Sequence, residues 1–146
     1  VEPAAGRPGH LGFAGAALVV LGALWFAVGA VLVVIAVLYG GGPGSLPPNV
    51  DVDPALFVAA PRSAAVGFGA VAVGIGQVWA GYLVTRGREG WPPRAALALA
   101  IVGTAVLASW LVNGLGAGRP VLILLPAILL YLYVAWAAVA AGRAFG

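Results

Sequence analysis

Polar and apolar positions along this chain are sorted into long blocks. Four apolar runs, Leu11 to Tyr39, Ser63 to Thr85, Ala95 to Asn113 and Val121 to Ala141, contain no formally charged residue. Each is near or above the roughly 20 residues that a helix needs to cross a bilayer. The pattern predicts an all-α, polytopic membrane protein: a single four-helix transmembrane domain over residues 1–146, with the helices in an antiparallel bundle. The first run holds 29 residues, far more than the roughly 7 to 15 of a signal peptide's apolar region, and is expected to stay in the mature protein. As a helix it would be about 43 Å long against a hydrocarbon core of about 30 Å, so it must tilt or protrude.

The segments between the runs carry the stop signals. After Tyr39 the chain reads GGGPGSLPPNVDVDP, in which repeated glycine and proline end the helix. The first connection, residues 40–61, is expected to be an external loop, long for a helical bundle. Its apolar ALFVAA stretch, Ala55 to Ala60, would lie at the interface or against the bundle mouth. The second connection, TRGREGWPPR, is short and basic, with Pro92 and Pro93 suited to opening the third helix. In NGLGAGRP, Gly114, Gly116 and Gly118 read as a turn between two helices rather than an anion-binding nest. Pro126, inside the fourth run, is expected to remove one backbone bond and bend that helix near its outer end.

The second run repeats small residues in an ordered way. At about 100° per residue, Phe68, Val71, Ile75, Val78, Trp79, Tyr82 and Leu83 take one side, and Gly67, Gly69, Ala70, Gly74, Gly76, Ala80 and Gly81 the other, with Val66, Val73 and Gln77 among them. Gly67, Gly74 and Gly81 are spaced by seven, and the first run repeats the spacing at Gly15, Gly22, Gly29 and Ala36. A seven-residue repeat keeps one seam facing one partner. Small residues let two backbones approach closely, which offsets glycine's poor helix propensity. These six glycines are therefore expected to be helix-packing positions that join the first two helices as a close hairpin. Gly74, Gly76 and Gly81 lack the dinucleotide-binding spacing, and no strand precedes them.

Composition strengthens the membrane reading, because 63% hydrophobic and 8% charged residues give more apolar surface than a soluble domain of 146 residues could bury in one core. The chain has no cysteine, lysine or methionine; thiol chemistry is excluded, and an alanine-, glycine- and valine-rich composition with arginine as its only strong base suggests a GC-rich genome. The net charge of +3 comes from seven arginines scattered at the ends of the runs, which argues against nucleic acid as a partner. Arg7, Arg86, Arg88, Arg94 and Arg143 fall on one side of a four-span arrangement and Arg62 and Arg119 on the other. The positive-inside bias thus predicts both termini in the cytoplasm of a cell (plasma) membrane protein. Trp79, Tyr82, Trp91 and Trp136 are expected at the inner interface and Tyr39 and Trp110 at the outer one, whereas Trp25, Tyr131 and Tyr133 come close to the bilayer centre and need partners for their N–H and O–H groups.

Candidates for chemistry are few. His10 is the only histidine and sits at the edge of the first run, so no intrachain pair can hold a haem. Asp51 and Asp53 in NVDVDP read as solvated carboxylates in a turn rather than a calcium site, and Glu89 as a charge partner among arginines. No catalytic residue, cofactor-binding residue or metal ligand is predicted, and no cofactor can be named. What remains is a mid-membrane polar layer of Trp25, Gln77, Thr104 and Tyr131, one residue on each helix, which interhelical hydrogen bonds would satisfy.

The stretch Gly81-Tyr-Leu-Val-Thr-Arg-Gly-Arg-Glu-Gly-Trp91, followed by an alanine-rich helix, resembles the hinge of many small, uncharacterised four-helix bacterial integral membrane proteins. There a glycine-containing helix ends in Leu-x-x-Gly-Arg and a tryptophan opens the next. The resemblance covers residues 64 to 140; it implies a fold and no activity. The Pro92–Pro93 pair departs from the more usual Trp-Ala-Arg. Together these readings lead to the expectation of a non-catalytic accessory or scaffold subunit, or a self-associating bundle, whose partners are the lipid bilayer and other membrane subunits or itself. The alternatives are a small-solute channel or carrier with a neutral polar waist, and a membrane enzyme subunit whose catalytic groups come from a partner or cofactor.

Overall fold

The structure, a computed structural model, describes residues 9–87 and 90–144, with Arg143 and Ala144 described by their backbone only. Arg7, Arg88 and Glu89, and the side chain of Arg143, all used above for charge placement, lie outside the described residues. Among the described residues the protein is all-α. Helix α1 spans Gly9–Gly40, α2 Ala55–Thr85, α3 Trp91–Gly116 and α4 Leu125–Ala144, with short 3-10 turns at Pro43–Ser45 and Val121–Leu124. All four helices are long and apolar enough to cross a membrane, the fourth counted with its leading turn as Val121–Gly142.

Local chemistry explains where these helices begin and end. The α2 helix starts at Ala55, inside the stretch expected to be a loop as far as residue 61. The Asp53 carboxylate accepts a hydrogen bond from the Ala55 N–H at 2.9 Å, satisfying one of the free donors that every helix start presents. Pro61 lies within the helix as its seventh residue, where its ring removes one backbone bond without ending the helix. Pro92 and Pro93 fall in the first turn of α3, where a missing N–H costs nothing. At the other end of α3, Gly118 adopts φ 65° and the Arg119 N–H returns to the Gly114 carbonyl at 2.9 Å, a Schellman closure. Only Gly118 of the expected glycine string therefore serves the turn. Gly114 and Gly116 are helical, and a Cβ on Gly114 would collide with the Val121 side chain. Pro126 is the second residue of α4 rather than an interior kink. The 3-10 turn at Val121–Leu124 takes up the preceding segment, and proline's missing donor falls in a first turn, where it is harmless.

The chain divides into two compact units, Val1–Leu21 with Gln77–Gly146, and Gly22–Gly76; α1 and α2 each contribute to both. In the Gly22–Gly76 unit, α1 and α2 meet along their glycines. A Cβ on Gly29 would lie 2.6 Å from the Gly67 carbonyl oxygen, and one on Gly74 would lie 2.6 Å from the Gly22 carbonyl oxygen and from the Phe26 backbone nitrogen. Continuing the register by seven residues puts Ala36 opposite Ala60, and both are buried. Beyond them the rings of Tyr39 and Phe57 meet edge to face at 5.8 Å.

In the larger unit the same contact recurs: a Cβ on Gly15 would stand 2.7 Å from the Gly81 carbonyl oxygen, and one on Gly81 would stand 2.6 Å from that of Gly15. Its core joins Leu18 and Leu21 of α1, Ala80 and Val84 of α2, Ala96, Ala100 and Leu107 of α3, and Tyr131, Val134, Ala137 and Ala141 of α4. Alanine dominates because helices packed without a hydrophobic drive between them gain most from close van der Waals contact.

Candidate functional site

The centre of the larger unit is a polar pair. Gln77, in the last third of α2, and Tyr131, in the second turn of α4, are both 0% exposed, and Gln77 is the one buried polar or charged side chain among the described residues. The amide meets the phenol with both of its ends. Gln77 Nε2 donates to the Tyr131 hydroxyl at 2.7 Å, and the hydroxyl can return its proton to Oε1 at 3.0 Å. Among the described residues no buried side-chain nitrogen or oxygen lacks a hydrogen-bond partner, so the pair adds no unsatisfied group to an apolar interior, where one would cost about 1 to 3 kcal/mol.

A third helix makes room for it. The ring of Tyr131 lies over Gly103 of α3, so closely that a Cβ there would stand 2.5 Å from Cζ and 2.7 Å from Cε1 of the ring. Residue type and spacing along the sequence do not single out Gly103; its one signal is its position beside Thr104, the mid-span polar residue of the same helix. Thr104 itself takes a different course from the interhelical bonding expected of it: its hydroxyl donates to the Ala100 carbonyl of its own helix at 2.8 Å. That local bond is always within reach of a helical threonine and needs no neighbour. Trp25, the fourth member of the expected layer, is half-buried on α1 in the Gly22–Gly76 unit.

The six glycines expected at helix contacts are all buried. Gly15 and Gly81 face each other in the larger unit, while Gly29 faces Gly67, and Gly74 faces the Gly22 carbonyl, in the other. Gly69 and Gly76, which the helical wheel groups with Gly67, Gly74 and Gly81 on the small-residue side of α2, instead lie off the seam, with open space where a Cβ would be. That side spans half the helix, and the contact with α1 uses only one edge of it.

A second cluster sits at the first turn of α1. The His10 ring meets Trp136 edge to face at 5.4 Å, Phe13 meets Tyr133 likewise at 5.4 Å, and the Tyr133 hydroxyl lies 3.4 Å from both His10 Nδ1 and the His10 carbonyl oxygen. Tyr133, placed near the bilayer centre by counting along its own run, thus finds its partner at the residue expected at the membrane edge. Counting residues ignores the tilt between helices and the reach of a tyrosine. At the end of α2 the Arg86 guanidinium lies over the Tyr82 ring, 4.8 Å from its centroid.

Among the described residues no three histidine, aspartate or glutamate side chains come together where they could hold a metal ion. Compared with known protein families, with curated proteins and with solved structures, the chain matches none.

Proposed function

We propose that this protein is a multi-pass membrane scaffold or accessory subunit of the plasma membrane, an antiparallel four-helix bundle without catalysis of its own that holds itself or other membrane subunits through its helix faces. The observation that supports this reading over a solute pathway is the pairing of Gln77 with Tyr131. The strongest mid-span hydrogen-bonding groups are turned on each other and closed off from the surface. A conduit would need such groups to face a wet passage, where they could replace a solute's hydration shell. With its polarity used internally, the protein offers its surroundings chiefly apolar side chains, together with the open positions of Gly69 and Gly76, and small residues are those that let a neighbouring helix approach.

The test is purification from native membranes in mild detergent, followed by mass measurement and reconstitution. A defined oligomer or a constant second subunit is expected, with no solute flux in liposomes. A strict monomer that moves a small solute would overturn the scaffold reading in favour of a carrier.

A further inference from the structure

Helix α1 has two opposite faces. One is the line of Gly15, Gly22, Gly29 and Ala36. On the other side of the helix, at about 100° per residue, stand Phe13, Val20, Leu24, Val31 and Leu38, each between 52% and 61% exposed. No charged residue interrupts α1 between Leu11 and Leu38, and Trp25, its one side chain there with a polar group, lies off this stripe. At about 1.5 Å per residue the bare stripe from Phe13 to Leu38 is about 38 Å long. Tyrosine and tryptophan are the rings that settle at headgroup level, and Tyr133 and Trp136 stand against the first turns of α1, on Phe13 and His10, while Tyr39 stands in its last turn against Phe57.

An average hydrocarbon core is about 30 Å thick. Hiding the stripe in it would require a tilt of about 37°, near the upper end of the range of transmembrane helices, whereas at the common tilt of about 20° the stripe still projects about 35 Å along the membrane normal. The side chains also indicate what covers them. Helix contacts within membranes favour small residues, and this stripe is made of leucine, valine and phenylalanine, which suit acyl chains rather than a second helix.

We propose that this face of α1 is matched to a bilayer of long-chain lipids, with a hydrocarbon core about 35 Å thick. The inference rests on the membrane-spanning reading. The experiment uses the full chain, reconstituted in vesicles of monounsaturated phosphatidylcholines whose acyl chains range from fourteen to twenty-two carbons. Insertion is scored by resistance to alkaline extraction, and stability by the thermal midpoint of the helical signal. The midpoint is expected to peak at twenty or twenty-two carbons, about 4 °C or more above its value at sixteen. Leu38→Lys ends the stripe at Val31 and should move the peak to shorter chains. A wild-type peak at sixteen or eighteen carbons, a flat profile, or a peak that Leu38→Lys leaves in place would overturn the match. A chain that inserts at no lipid length would overturn the membrane-spanning reading as well.

Discussion

Gln77 and Tyr131 are wholly buried and bonded to each other, yet removing one is not equivalent to removing the other. Gln77→Leu takes the amide away from the Tyr131 hydroxyl, a single polar group, but gains apolar packing of similar volume, so its cost should be about 1 kcal/mol. Tyr131→Phe instead leaves a buried amide facing an aromatic edge, and an amide stripped of its partner away from water costs about 1 to 3 kcal/mol. Tyr131→Phe should therefore lower the unfolding midpoint more than Gln77→Leu does, under identical detergent conditions. If the two variants are equal, or the order is reversed, water reaches the amide and the sealed-pair argument fails.

At the scale of the helix, α2 carries two kinds of glycine, and one substitution separates them. Alanine at Gly69 meets open space and gains helix propensity, so Gly69→Ala should be neutral or stabilising by up to about 1 kcal/mol. The same methyl group at Gly74 would stand 2.6 Å from the Gly22 carbonyl oxygen and the Phe26 nitrogen, both backbone atoms that cannot swing aside. Gly74→Ala should destabilise by about 1 to 3 kcal/mol, because relief requires the two helices to move apart. Thermal unfolding of both variants checks this, and equal midpoints would show that α1 and α2 are not held by backbone approach.

Orientation belongs to the whole molecule and follows from where arginine is retained. On the proposed topology, the positive-inside bias is expected to put the α2–α3 connection in the cytoplasm and the α1–α2 connection outside. Because the chain has no cysteine, single probes report cleanly. Asn49→Cys, in the exposed segment before α2, should react with a membrane-impermeant thiol reagent added to intact cells. Trp91→Cys, at the exposed start of α3, should react only after permeabilisation. Preferential labelling of the second from outside would reverse the orientation.

How much of this could be read from the chain depends on how far each property reaches. The four apolar helices follow from the lengths of charge-free runs, and helix formation in lipid is obligatory for such runs because no water satisfies the backbone. The seven-residue spacing of Gly15, Gly22 and Gly29 and of Gly67, Gly74 and Gly81 is likewise written along the sequence, since a helix converts spacing into a face. Only the tertiary structure decides which groups meet across helices. Tyr131 reaches Gln77 from 54 residues away, Gly103 clears space for its ring, Thr104 bonds to its own helix, and Tyr133 turns to His10. Hydrogen bonds and ring contacts act over a few ångströms with strict directions, so they depend on each helix's rotation and tilt, which periodicity along one helix does not contain. The start of α2 at Ala55 shows the same division on a local scale: the proline- and glycine-rich composition predicts a loop, but one Asp53 cap bond and a tolerated Pro61 extend the helix into it.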